Sequence, residues 1–266
     1  MNAFSVEHDG DVALVTLTQP SMGFEFFREL PEVFRALDAN AGVRAIILGG
    51  SGVNFSFGLD LKDVAPLFAP LGSGTASASE RTRVLTQVRE WQAALTAVAD
   101  CRTPIISAID GWCIGGGIDL IAATDIRLAT SSAKFSVRET KVAIVADLGS
   151  LQRLVGIIGD GHLRELALTG GDIDAARAER IGLVNSVYDD ASSLRDAAMG
   201  LAREIAANSP LVVRGVKDVL DAERAPRVEA GLRYVAAWNS AFLPSRDLGE
   251  AFAAFAERRA PKFTGE

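Results

Sequence analysis

The stretch DGWCIGGGIDLIAATD, residues 110–125, decides the fold. It follows an apolar run at residues 104–109 that is typical of a buried strand, and after three glycines it continues into good helix formers. Glycines in such a connection let the backbone approach a ligand and leave amides exposed at a helix start, where they suit a developing oxyanion. A tight turn in which the glycines only relieve crowding explains this stretch equally well.

A second glycine loop, NFSFGLDLKD at residues 54–63, favours the functional interpretation. It also follows a buried apolar run, at residues 43–48. Two such loops can each contribute one N–H group to a single oxyanion. Asp60 and Asp63 in this loop are better explained as helix caps than as catalytic groups, because carboxylates stabilise helix N-termini.

The remaining hydrophobic patterns predict an α/β protein that ends in a helical segment. A hairpin turns at Asp9-Gly10, and residues 71–79 (LGSGTASAS) are typical of a flexible linker or lid. The expected helices and strands are helices over 26–39 and 80–100, strands over 43–48, 104–109, 126–129 and 134–137, and helices from 149 onward interrupted at 183–187.

Composition excludes several classes of function. The chain has 27 Lys and Arg against 34 Asp and Glu, for a net charge of −7, so we expect no nucleic-acid partner and no membrane partner. Two histidines and two cysteines, Cys101 and Cys113, are too few and too far apart for the common metal sites, so no metal is expected. The cysteines are expected to be reduced packing residues, and with no secretory signal evident the predicted location is cytoplasmic.

The two glycine loops, their order and their spacing resemble the crotonase, or enoyl-CoA hydratase/isomerase, superfamily. Further similar motifs are DIRLA at 125–129, LQRL at 151–154 and AERIGLV at 178–184. The resemblance implies an α/β spiral of ββα turns with a C-terminal helical trimerisation region. It divides the chain into a catalytic core, residues 1–200, and a helical region, residues 201–266. It also implies a homotrimer or homohexamer that binds an acyl-CoA thioester, with no cofactor because CoA is part of the substrate.

The resemblance assigns the site residue by residue. Leu59 and Gly116 supply the two backbone N–H groups of the oxyanion hole. The residues expected to contact the substrate are Gly58, Asp60, Leu61, Lys62 and Gly117. Segment 19–27, which carries basic residues near the CoA phosphates in the family, holds no Lys or Arg here, so the usual phosphate contacts are not expected. Lys62 is the candidate phosphate contact, and a solvated lysine at a helix end explains it equally well.

Three acids select the subfamily. Asp119 and Glu139 stand where a hydratase has two glutamates, and Asp147 stands where hydratases have glycine. This set is similar to the Δ3,5-Δ2,4-dienoyl-CoA isomerases, which shift conjugated double bonds of 3,5-dienoyl-CoA to give 2,4-dienoyl-CoA. In this interpretation Glu139 removes the C2 proton, Asp147 protonates C6 and Asp119 orients its neighbours. Two alternatives stay open: a 2-enoyl-CoA hydratase and a non-catalytic acyl-CoA-binding protein.

Overall fold

The computed structural model describes residues 2–266. The strands are β1 (Phe4–Asp9), β2 (Val12–Leu17), β3 (Ser21–Met22), β4 (Ala45–Gly50), β5 (Gly58–Leu59), β6 (Ile105–Ile109), β7 (Trp112–Ile114), β8 (Ile126–Thr130), β9 (Lys134–Ser136), β10 (Ile173–Asp174) and β11 (Ser186–Tyr188). The helices are α1 (Phe24–Ala39), α2 (Leu61–Phe68), α3 (Ala78–Ala99), α4 (Gly116–Ala122), α5 (Ser150–Arg153), α6 (Val155–Thr169), α7 (Ala175–Arg180), α8 (Ala191–Ala207), α9 (Pro210–Phe242) and α10 (Arg246–Glu257). Short 3₁₀ turns cover Ala69–Ser73 and Glu139–Val142.

The strands form a repeating spiral. The larger sheet has the order β1-β2-β4-β6-β8-β11, and all of its pairings after the β1–β2 hairpin are parallel. A second layer holds the short strands, in the orders β3-β5 and β10-β9-β7, and a bridge between Ser56 and Cys113 joins its two parts. Each turn of chain therefore places one long strand in the first layer and one short strand in the second, and then adds a helix. This arrangement is the predicted spiral of ββα turns.

Apolar side chains fill the space between the sheet layers and the helices. The largest fully buried ones include Trp91, Phe34, Phe55 and Phe135, which come from helices, a loop and a short strand. Trp91 of α3 stacks on Phe27 of α1 with ring centroids 5.0 Å apart. Because the central strands β4 and β6 are covered on both faces, they are nearly continuous apolar runs, which is why the sequence reveals them so clearly.

Most predicted elements are present, with shifts of a few residues. The strand expected over 43–48 runs from Ala45 to Gly50, because Gly49 and Gly50 pair with β2 rather than closing the strand. The predicted loop at residues 54–63 contains β5 and the start of α2. The predicted linker at residues 71–79 begins within a 3₁₀ turn. Pairings of two residues such as β5 and β10 leave no hydrophobic pattern in the sequence, so they were not predicted.

The C-terminal helices lie against the core. Helix α9 spans 33 residues and packs along α3, and α10 packs on the turn Ala69–Ser73. The expected boundary at residue 200 lies inside α8. Within residues 2–266, no helix combines the length and the apolar character that crossing a bilayer requires.

Candidate active site

A cavity of about 610 Å³ opens where the two glycine loops meet. The expected residues Leu59, Asp60, Leu61, Lys62 and Gly116 line it. The other residues in its wall are Ser21, Phe57, Ile114, Gly115, Asp119, Arg138, Glu139, Val142, Ile144, Asp147, Leu148 and Phe255. A concave, mainly apolar pocket with a few convergent polar groups is the usual form of a small-molecule site.

The two loops bring the backbone amides of Leu59 and Gly116 to one place. A Cβ atom added to Gly116 would lie 3.7 Å from the nitrogen of Leu59. The amide of Asp60 donates to Met22 in the neighbouring strand, and because successive strand residues alternate in direction, the amide of Leu59 points away from that strand. The amide of Gly116 is the first in α4 and has no acceptor within the helix.

Gly58 and Gly117 pack the loops together instead of lining the cavity. Gly58 has a φ of +78°, and a Cβ on it would lie 2.8 Å from the nitrogen of Gly116. A Cβ on Gly117 would lie 2.9 Å from the Cβ of Ser56. These two glycines therefore act on the substrate site through the close approach of the two loops.

Asp60 and Asp63 are helix caps, as the sequence favoured. The Asp60 carboxylate accepts hydrogen bonds from the amides of Lys62 and Asp63 at the start of α2. The Asp63 carboxylate accepts from the amide of Phe24, 2.7 Å away, at the start of α1. Asp60 thereby ties the 54–63 loop to α2, and Asp63 ties α2 to the start of α1.

Asp119 is buried one turn into α4 and is 1% exposed. Its Oδ1 accepts a hydrogen bond from the amide of Ser150 at 2.5 Å, which joins α4 to the start of α5. Burial raises its pKa to about 6, although the bonds from Ser150 and the charge of Arg153 act in the opposite direction. Its contacts suit an orienting role.

Glu139 begins the 3₁₀ turn and lies beside the glycine loop. Its Oε1 would be 3.5 Å from a Cβ added to Gly115, and its buried Oε2 has no hydrogen-bond partner. Burial in the pocket, with the nearby charges of Asp119 and Asp147, raises the pKa of this carboxyl to about 8. An unsatisfied carboxyl that faces a cavity is available to a ligand.

Asp147 lies in the loop between the 3₁₀ turn and α5. Its Oδ2 accepts a hydrogen bond from Nδ2 of Asn239 on α9, at 2.6 Å. Burial raises its pKa to about 7, the Asn239 bond lowers it, and the charge of Asp119 raises it further. The structure thus gathers all three sequence-predicted acids in one cavity wall.

Sequence reasoning missed several residues that complete the site. Gln92 of α3 and Asn239 of α9 hold the Asp147 loop, and Phe255 of α10 closes part of the wall. Arg153, 4% exposed, donates to the carbonyl of Leu148 and to the hydroxyl of Thr96. Arg153 belongs to the LQRL motif, which was the one available signal, and its charge acts on Asp119.

The aromatic residues near the C-terminal end of the chain divide into two groups. Phe252 packs within the chain and stacks on Phe68 with ring centroids 6.4 Å apart. Trp238, Phe242 and Phe255 stay exposed in this chain. Phe252 therefore takes part in the packing of this chain.

The whole chain is similar to known proteins of one family. Residues 7–266 match the model of the enoyl-CoA hydratase/isomerase family. A mitochondrial Δ3,5-Δ2,4-dienoyl-CoA isomerase of Dictyostelium discoideum is 45% identical over 95% of this chain and 87% of its own length. A peroxisomal Δ3,5-Δ2,4-dienoyl-CoA isomerase of Arabidopsis thaliana is 42% identical over 96% of this chain and 93% of its own length. The crystal structure of an enoyl-CoA hydratase/isomerase from Pseudoalteromonas atlantica has a TM-score of 0.83 and 26% identity, and covers 98% of this chain and 100% of its own.

These relatives correct the expectation of a cytoplasmic protein, because they are named mitochondrial and peroxisomal. The cysteines that supported the expectation are free and buried. Burial raises the pKa of Cys101 to about 12, and a buried neutral thiol without a partner stays unreactive in any compartment. Two such cysteines therefore carry no information about location.

Proposed function

Because the chain belongs to the enoyl-CoA hydratase/isomerase family, we propose that it converts 3,5-dienoyl-CoA to 2,4-dienoyl-CoA. The observation that carries this function is the presence of Asp147 in the same cavity as Glu139, next to the two loop amides. A hydration site needs its acids around one water, whereas a shift of two conjugated double bonds needs proton-exchanging groups at two separate carbons. The named isomerase relatives, at 42–45% identity, support the same activity.

The amides of Leu59 and Gly116 bind the thioester oxygen. Removal of the C2 proton converts the thioester to a trienolate whose negative charge gathers on that oxygen. Two preorganised N–H donors stabilise this charge, and loss of one such donor typically lowers the rate by about 10²–10³-fold. The donors belong to the main chain, so the side chain of Leu59 is free to form cavity wall.

Glu139 and Asp147 exchange the protons. One carboxylate takes the proton from C2, the electrons move along the diene, and the other carboxyl gives its proton to C6, so that no net oxidation occurs and no cofactor is used. Such a transfer requires one ionised and one protonated group, and burial raises the pKa of both carboxyls into the neutral range. Asp119 orients the loop by holding Ser150.

The family resemblance assigns C2 to Glu139 and C6 to Asp147, and this assignment can be tested directly. Burial raises the pKa of both carboxyls into the neutral range, so either group can be the ionised one when the substrate binds. Exchange of the C2 proton with deuterated water separates the two assignments. If Glu139 is the C2 base, Asp147→Asn still exchanges that proton and Glu139→Gln does not. The opposite pattern assigns C2 to Asp147.

Lys62 is the cation that we assign to the CoA phosphates. It is exposed at the mouth of the cavity, one residue after Leu61 of the wall. Arg138 also reaches the wall, but it forms an ion pair with Asp172. Asp60 and Leu61 shape the mouth, while Gly58 and Gly117 keep the two loops in contact.

The working unit is a homotrimer or homohexamer formed through the helical region, residues 201–266. Helix α9 has an exposed apolar stripe near its N-terminal end, which consists of Leu211, Val212, Val216, Val219 and Leu220. Contiguous apolar surface on a folded chain is typical of a protein contact. Trp238 and Phe242, 4.4 Å apart between ring centroids, extend the exposed surface toward the other end of α9.

Two substrates given to the purified protein test this function. With a 3,5-dienoyl-CoA we expect a new 2,4-dienoyl absorbance, and with crotonyl-CoA we expect little hydration. Rapid hydration without isomerisation would select the 2-enoyl-CoA hydratase. No turnover of either substrate, while an acyl-CoA still binds, would select the non-catalytic acyl-CoA-binding protein.

A further inference from the structure

Asp147 is held from outside the predicted catalytic core. Asn239 lies on α9, 92 residues further along the chain, and is 1% exposed. Its single side-chain amide donates to Oδ2 of Asp147 at 2.6 Å and to the carbonyl of Val145 at 2.8 Å. One amide group thus fixes both the backbone of the loop and the carboxyl that the loop carries.

A second amide side chain holds the same loop at its backbone. Nε2 of Gln92, on α3, donates to the carbonyl of Asp147 at 2.6 Å and to the carbonyl of Leu232 on α9 at 3.0 Å. Gln92 does not bond the carboxyl group of Asp147. The two amides therefore differ in one respect that an experiment can use, because only Asn239 is bonded to the group that exchanges a proton.

We propose that Asn239 is a positioning residue for the isomerisation, which aims the carboxyl of Asp147 into the cavity and stabilises its ionised form. This inference rests on the proposed function. An N–H donor favours the charged form of a carboxyl, and a hydrogen bond to a charged group is worth more than one between neutral groups. Without the donor the carboxyl is free to rotate, and its ionised form loses its one side-chain partner.

Other charged and polar groups around Asp147 also influence its ionisation. Asp119 of α4 and Glu139 of the 3₁₀ turn are the acids in the same wall. The charge of Asp119 disfavours ionisation of Asp147, and the charge of Asp147 disfavours ionisation of Glu139. Arg153 lies beyond Asp119, and Arg138 and Lys62 belong to the wall. Helices α3 and α9 contribute the neutral amides Gln92 and Asn239. Replacement of Asn239 by an apolar residue therefore removes a hydrogen bond without changing any charge.

The pH profile of kcat distinguishes positioning from a merely structural contact. For Asn239→Leu we expect kcat to fall by about 10- to 100-fold, the usual effect of losing a hydrogen bond to a charged group, with KM changed less than about threefold. The limb of the kcat profile that reports the titration of Asp147 should move to higher pH by about one unit, because loss of the donor raises the pKa of Asp147. Asn239→Asp keeps the size of the side chain but adds a like charge, so the limb should move further.

Gln92→Leu is the matched control. It loosens the backbone of the same loop, so it lowers kcat, but the limb should stay within about 0.3 pH units of its position in the unmodified protein. A limb that stays in place in both Asn239 variants would overturn the proposal. An equal shift in Gln92→Leu would overturn it as well, since the shift would then come from a loosened loop.

A measurement without substrate separates this inference from the proposed function. If the unmodified protein does not turn over a 3,5-dienoyl-CoA, the proposed function fails, but ¹³C-labelled aspartate still reports the titration of Asp147 by NMR. In that case Asn239→Leu should titrate at higher pH than the unmodified protein, with Asp147→Asn identifying the signal. Equal titration in the two proteins would refute the hydrogen-bond role of Asn239.

Discussion

The α-carbon of Gly58 lies directly against the backbone nitrogen of Gly116. A Cβ on Gly58 would approach that nitrogen to 2.8 Å and the carbonyl oxygen of Ile114 to 3.0 Å. Both are backbone atoms, which cannot rotate away as a side chain would. This contact holds the two glycine loops in register, so the geometry of the two amide donors depends on the absence of a side chain at residue 58.

Gly58→Ala should therefore disrupt the oxyanion hole. The alanine has to push the loops apart, which moves one N–H away from the thioester oxygen, and we expect kcat/KM to fall by about 10²-fold or more. Gly10→Ala is the matched control, since Gly10 also has a positive φ, of +63°, but no atom within 4 Å of the added Cβ. Both variants carry the same kind of backbone strain, so equal turnover in the two would contradict the argument.

Asp147→Asn should remove most isomerase activity and leave the fold intact. The amide keeps the shape of the carboxyl and can still accept from Asn239, but it cannot exchange a proton, and we expect kcat to fall by about 10²–10⁴-fold. Binding of a non-reacting acyl-CoA, measured by calorimetry, should be nearly unchanged. Asp160→Asn, in an exposed pair with Arg164, is the control and should keep full activity. Turnover by Asp147→Asn close to that of the unmodified protein would refute the role of Asp147.

The hydrophobic pattern predicts an α/β protein and most of its strands and helices, because these features have local causes. The spiral arrangement and the roles of the site residues follow instead from the family resemblance. Strands β4 and β6 are continuous apolar runs, and the glycine loops keep their spacing in the chain. Asn239 and Gln92 could not be predicted in this way. Each is a polar residue in a helix, and only the packing of α9 on α3 shows that they face Asp147 rather than water.

The raised pKa of Glu139 predicts a loss of stability as pH increases. Burial holds the proton on the folded carboxyl until about pH 8, whereas the unfolded chain releases it near its ordinary value of 4.5. Between these two values the folded state binds more protons than the unfolded state, so the free energy of unfolding decreases with rising pH. The glutamine in Glu139→Gln is neutral in both the folded and the unfolded state, so this variant does not lose stability in that way.

Thermal unfolding tests this at two pH values. We expect Glu139→Gln to melt above the unmodified protein by about 3 °C or more at pH 8, and by less than about 1 °C at pH 5. Glu80 gives the opposite case, since hydrogen bonds from Ser77 at the start of α3 lower its pKa. Glu80→Gln should therefore not gain stability at pH 8. A difference between Glu139→Gln and the unmodified protein that does not change with pH would contradict the assignment.

The apolar stripe on α9 predicts an oligomer that a single charge can break. Leu220 is 68% exposed in the isolated chain, and an aspartate there would be buried without a partner in the assembly. Light scattering should give three or six chain masses for the unmodified protein and a smaller species for Leu220→Asp. Leu168→Asp on α6, where the leucine is 73% exposed and lies outside α9, should keep the full assembly. If the unmodified protein is a monomer, or if Leu220→Asp keeps the full assembly, the prediction that α9 forms the interface is wrong.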